Sequence, residues 1–254
     1  MPQNRYEGMK TAYLFILLIF LSLTTKAGSK ELDTVITKEP GGWEFVQVIV
    51  IANQQVIIEG SRYKGKKEGV WNEFWPSKYP KNMTSYHEGK KHGMYMEIDA
   101  DGALHLVEHY KNGKLHGPRR EYKHLGPVIL EENYADGNKH GPYRKNYETA
   151  MPQETGTYKN GERDSVITWY YPNGNRYVEY TYKNGIKEGP CTVYTEKGYK
   201  AETGEYKNDV KAGLWKEFYP NNKVKAEGIY VNDEKIGEWK EYDELGKLIK
   251  TVKY

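Results

Sequence analysis

The chain has 254 residues, a net charge of +3, 37% hydrophobic residues and a mean hydropathy of -0.89. Its 24 tyrosines and 6 tryptophans make it too aromatic for a disordered chain, while its few aliphatics leave little for a thick core. Charges of both signs are interleaved with no basic stripe, which argues against a nucleic-acid partner.

Near the N-terminus Arg5, Lys10 and Lys26 stand against Glu7 alone. The apolar run from Thr11 to Leu23 follows Lys10 and falls short of the ~20 residues of a membrane span. Thr25-Lys26-Ala27 then offers small residues ahead of Gly28. This pattern predicts a secretory signal over residues 1–27, cut between Ala27 and Gly28, and a secreted or periplasmic chain. Met9-Lys10 is an alternative start to Met1. No cysteine follows the run to carry a lipid, and Cys191 is the only one in the chain, so a disulfide framework is excluded.

Residues 28–59 read as a polar connector to Pro40, then an aliphatic capping hairpin with strands over Phe45–Ile51 and Gln55–Glu59. Gly41-Gly42-Trp43 reads as a degenerate half-repeat of Gly69-Val70-Trp71. A terminal unit has a neighbour on one side only, so an atypical end is expected.

Residues 60–254 repeat. Tyrosine recurs at Tyr63, Tyr86, Tyr110, Tyr134, Tyr158, Tyr182, Tyr206 and Tyr230, first after 23 residues and then every 24. A period in this range means one supersecondary unit stacked on itself. Each unit holds two short strands. Asn112-Gly113, Asp136-Gly137 and Asn184-Gly185 are typical of the first turn, the type I′ hairpin signal. Glycines such as Gly213 and Gly237 open the second strand, and Ser165 takes that place in one repeat. A looser turn, Asn173-Gly174 or Leu245-Gly246, closes the unit. No segment keeps a helical apolar period.

The fold class is therefore all-β: an elongated, single-layer antiparallel array of eight repeats of about 24 residues, roughly 18 strands in all. Aromatic ladders with glycine opposite the rings would hold it. Trp239 and Tyr242 are three apart, so a regular strand sends them to opposite faces unless a bulge intervenes.

Several constellations read as structural. His92, His116 and His140 share one slot, but equivalent positions lie two strands, or ~10 Å, apart and cannot share a metal. That slot reads as a polar turn position. Cys191 has no histidine in its repeat to activate it. No glycine-rich loop precedes a helix. Lys64, Lys111, Lys159, Lys183 and Lys207 form a row that suits either solubility or anionic head groups. No catalytic, cofactor or metal residues are assigned.

The order Glu-x-Gly-x-Tyr, Lys-Asn-Gly, Gly-x-Trp-x-x-Tyr, Asn-Gly-x resembles the MORN-repeat variant from about Gly60 to Tyr254. Glu227-Gly228-Ile229-Tyr230 with Gly237-Glu238-Trp239 and Tyr242 carries it best. The resemblance implies antiparallel hairpin arrays used as interaction scaffolds, with protein or phospholipid partners in some members and an antitoxin label on many bacterial ones. Asn146 in place of a ring and Ile167 in place of tryptophan depart from the pattern.

The resulting expectation is a non-enzymatic scaffold that binds a protein along one face. Trp71, Tyr95, Tyr143, Trp215 and Trp239 are the candidate contact residues. A membrane-surface or cell-wall glycan binder and an antitoxin or immunity-type protein are the alternatives.

Overall fold

The computed structural model describes residues 31–254. The expected signal, with Ala27 and Gly28, lies outside the described residues.

The described chain is one open antiparallel sheet of 21 strands, in which each strand pairs with the one before it once the two strands that are split in two are counted whole. The last repeat shows the unit. Strand Val224–Val231 turns at Asn232-Asp233 into Glu234–Tyr242, which pairs in turn with Leu248–Lys253. The type I′ expectation holds at Asn184 and Gly185, with φ of 50° and 80°.

The roughly 18 strands expected become 21 for two reasons. Leu32–Glu39, read as connector, is a strand along the whole of Trp43–Val50, so the cap has three strands. Its apolar residues Leu32, Val35 and Ile36 do not alternate strictly with polar ones, a weak strand signal. Two second strands are also split, giving the short pieces Lys114–Leu115 and Asn138–Lys139, where Pro118 and Pro142 follow the bulge glycine.

Each repeat hairpin carries a bulge at one place. Glu227 pairs with Lys240 and Ile229 with Ile236, so Gly228 faces three residues, Gly237 to Trp239. Gly237 supplies the positive φ of 65° that this needs. The bulge brings the Trp239 ring flat over Gly228, where a β-carbon would meet ring atoms at 2.2 Å. The same closeness recurs for Trp215 over Gly204 and Trp71 over Gly60.

That frame corrects two expected landmarks. Arg62 pairs with Lys67 as Tyr86 pairs with Lys91, so Arg62 holds the anchor slot and Tyr63 stands one residue out of phase. The step of 23 marks this displacement: Tyr63 turns to the other face and packs on Trp43 at 5.0 Å. Trp43 is no half-repeat ring either. It is 39% exposed and pairs with Tyr63, while the buried Val46 pairs with Gly60 as Trp215 pairs with Gly228.

Both faces carry rings. Trp239 sits over Gly228 on one face, and the Tyr242 hydroxyl donates to Glu227 Oε1 at 2.8 Å on the other. With one layer, the core is a row: Val178, Cys191, Trp215 and Trp239 form one buried cluster, Tyr143, Ile167 and Tyr182 another.

Adjacent repeats are also tied at both edges. On one, Trp75 Nε1 donates to Ile98 O at 2.8 Å, Tyr147 Oη to Tyr170 O at 2.8 Å and Tyr219 Oη to Tyr242 O at 2.9 Å. On the other, Glu68 and Glu188 accept from the backbone N–H of Glu88 and Asn208 at 2.8 and 3.0 Å. Such coupling between neighbours stabilises an array as a chain of units.

Candidate functional site

The ring face is built by one slot per repeat: Trp71, Tyr95, Arg119, Tyr143, Ile167, Cys191, Trp215 and Trp239, with the anchor tyrosines between them. Towards the C-terminus the rings interlock edge to face. Centroids are 5.4 Å apart for Tyr206 and Trp215, 5.7 Å for Trp215 and Tyr230, and 5.2 Å for Tyr230 and Trp239. Each such pair contributes about 0.5–1.5 kcal/mol beyond its burial.

Lysines cover this row. Lys211 Nζ lies 3.9 Å from the Trp215 centroid and 5.1 Å from that of Tyr230; Lys235 lies 4.0 Å from Trp239. Lys67 and Lys91 sit likewise over Trp71 and Tyr95. Burial lowers the pKa of Lys67, against the pull of Glu73. These lysines, five residues past each anchor, are a periodic signal the tyrosine count passed over. The row Lys64, Lys111, Lys159, Lys183 and Lys207 is separate and solvent-exposed.

The candidate contact residues are thus placed in the core. Trp71, Tyr143, Trp215 and Trp239 are 5%, 6%, 1% and 4% exposed, and Tyr95 is half-buried. They form a shared row, as their spacing implied, and lysines cover it. The anchors Tyr86, Tyr110, Tyr134, Tyr158, Tyr206 and Tyr230 are half-buried, and Tyr182 is buried.

The middle of the row is polar. Arg119 fills the ring slot and Glu108 and Glu132 replace the glycines. Arg119 Nε bonds Glu108 Oε1 at 3.0 Å, and its Nη1 lies 3.5 Å from Glu132 Oε2, which also accepts from the Tyr134 hydroxyl at 2.9 Å. Burial and that bond push the Tyr134 phenol up to about 12. Ile167, where tryptophan was expected, is fully buried against Gly156 and fills the slot with a branched aliphatic.

The opposite face holds a feature that the sequence reading missed. In six repeats the residue after the bulge position points outward there and is apolar: Val70, Met94, Pro118, Pro142, Val166 and Pro190, followed by Leu214 and then the charged Glu238 in the last two. Val70, Met94 and Val166 are 49%, 42% and 50% exposed. Their cross-strand partners are Ser85, His109, Asn133, Thr157 and Thr181. The line residues themselves, from Val70 to Pro190, include no Asp, Glu, Lys or Arg, although 29% of the chain is charged; Asp164 pairs with Thr157, and Glu205 pairs with Pro190 at the line's end.

Three of its five polar side chains are already bonded within the sheet. His109 Nδ1 donates to Pro118 O at 2.9 Å, Asn133 Nδ2 to Pro142 O at 2.8 Å and Thr181 Oγ1 to Pro190 O at 3.0 Å. The line can therefore lose water without orphaning these groups. At ten strand spacings of ~4.8 Å it is roughly 48 Å long.

The histidine row is a set of turn caps, as its spacing implied. His116 and His140 Nδ1 accept from Asp136 and Asn160 N–H at 3.4 Å, the role Glu68 and Glu188 play elsewhere. His124 joins Asp99 and Asp101, each 3.0 Å from a different ring nitrogen. Both nitrogens are engaged, and the two carboxylates, Asp99 first, raise the imidazole pKa. Burial pushes the Cys191 thiol up to about 12, far from a thiolate nucleophile.

Residues 163–184, 211–232 and 235–254 match the profile of the MORN repeat variant. No curated protein matches the chain. The matched segments each span a bulged second strand, a closing turn and the next anchor, the unit described above. Such repeats generally serve as scaffolds rather than enzymes. The chain thus carries MORN-variant repeats, three of them matched directly, laid side by side as one antiparallel sheet.

Proposed function

We propose that the chain is a non-enzymatic scaffold, secreted or periplasmic, that docks a protein partner along the uncharged line from Val70 to Pro190. The observation that carries this reading is the line itself, apolar at every second strand, with three of its five polar side chains internally bonded. The line is one residue wide on each strand and roughly 48 Å long. The matching partner surface is aliphatic and uncharged. The apolar run from Thr11 to Leu23 with Thr25-Lys26-Ala27 supports export.

Met94→Asp with Val166→Asp tests the docking reading. The partner is retained by the native chain and lost from the double variant, whose circular dichroism is unchanged. Equal retention would refute the docking line.

A membrane surface is the second reading. Lys111, Lys159, Lys183 and Lys207 follow anchors that face the rings, so strand alternation puts them on the same side as the aliphatic line. Flotation with vesicles containing phosphatidylserine tests it, and absence from the floating fraction rules it out. The antitoxin alternative rests on the family label, and co-expression rescue from a toxin tests it.

A further inference from the structure

A groove of 340 Å³ lies at the closing-turn edge between two repeats, lined by Tyr194, Gly198, Tyr199, Lys200, Phe218 and Asn222. A second, of 570 Å³, stands at the matching place near the cap, around Gln55, Val56, Phe74 and Lys78. Phe218 and Phe74 are 144 residues apart, six periods of 24. The two grooves therefore stand at equivalent positions of the repeat.

Both grooves have phenylalanine in this slot. In three other repeats the slot holds a tyrosine whose hydroxyl is tied to the preceding strand: Tyr170 to Thr155 at 3.2 Å, Tyr194 to Glu179 at 2.9 Å and Tyr242 to Glu227 at 2.8 Å. Phe218 and Phe74 have no hydroxyl to make that bridge, and the space beside them stays open.

The two grooves differ in charge. The one near the cap has both Glu59 and Lys78 in its lining. The Phe218 groove has a single charge, Lys200, whose ammonium lies 5.5 Å from the Phe218 centroid. Its other side groups are aromatic faces, the exposed Tyr199 and an amide, Asn222. Flat apolar walls with one cation suit a ring that is flat, hydroxylated and anionic. A shallow, open trough suits one unit of a polymer better than a small molecule, which pockets bury on most sides.

We propose that the Phe218 groove binds a uronic-acid unit of an acidic polysaccharide, its ring against Phe218 and Tyr199 and its carboxylate on Lys200. The site shares no residue with the aliphatic docking line, so either can fail alone.

Calorimetric titration with tetragalacturonate tests it on the full chain. Saturable binding is expected, with galactotetraose giving none. Lys200→Gln should weaken binding about tenfold or more, the scale of one hydrogen bond to a charged group. Phe218→Leu should weaken it as well, and Phe74→Leu should leave it unchanged. No saturable heat with the native chain would overturn the proposal. So would equal affinity in Lys200→Gln, which keeps the ring and does not depend on how Phe218→Leu folds, or equal affinity for the neutral tetramer.

Discussion

The Trp239 indole lies on Gly228 so closely that a β-carbon there would stand 2.2 Å from ring carbon Cδ2. The ring cannot shift freely, because Tyr230 holds one edge at 5.2 Å and Lys235 covers its face at 4.0 Å. Gly228→Ala is therefore expected to destabilise by about 1–3 kcal/mol, the usual cost of overpacking. Chemical denaturation measures it. Hydrogen exchange should place the loss in the strands from Val224 to Lys253, since repeats couple to their neighbours.

Ser165 is the bulge residue of its repeat and keeps a φ of 66°, where the other repeats have glycine. A side chain with a β-carbon is strained there. Ser165→Gly should raise stability by about 1 kcal/mol, read as a higher denaturation midpoint with an unchanged slope.

Arg119 holds Glu108 and Glu132 together in the ring face, with those carboxylate side chains 11% and 6% exposed. Removing it leaves buried negative charge. Arg119→Ala should cost about 3–5 kcal/mol at neutral pH. Restoring the aromatic pattern at this rung, with Arg119→Trp, Glu108→Gly and Glu132→Gly together, should recover most of that loss. Denaturation of both variants checks the pair.

Alkaline pH probes the phenols. Tyr95 and Tyr134 are pushed from 10.0 up to about 12, by burial first and then by Glu97 and Glu132. A raised folded pKa means that their contribution is complete below pH 10 and fades as pH rises through about 12. Tyrosinate absorbance should therefore lag behind that of free tyrosine and rise together with loss of the β-sheet signal in this window.

Much of the fold was legible because the local signals agree. Asn184-Gly185 fixes a hairpin, the 24-residue step fixes the stack, and glycine two residues before Tyr206 and Tyr230 makes room for Trp215 and Trp239. The phase at the start was not legible. Tyr63 copies the motif in letters, yet Gly60 under Trp71 sets the frame, and only pairing shows that Arg62 is the anchor. The burial of the candidate contact residues was not legible for a related reason. Ring content alone does not tell buried from exposed, and the covering lysines lie five residues from the anchors, across a turn. The aliphatic line was hidden because valine, methionine and proline share a position without sharing a residue type.

The most direct test is photo-crosslinking from single sites on both faces of the full chain. A photoreactive residue at Val166 or Met94 should capture the partner, while one at Lys211 or Lys235 over the rings should not. Capture from the lysine sites with none from Val166 and Met94 would contradict the proposed docking line and return the ring face as the binding surface.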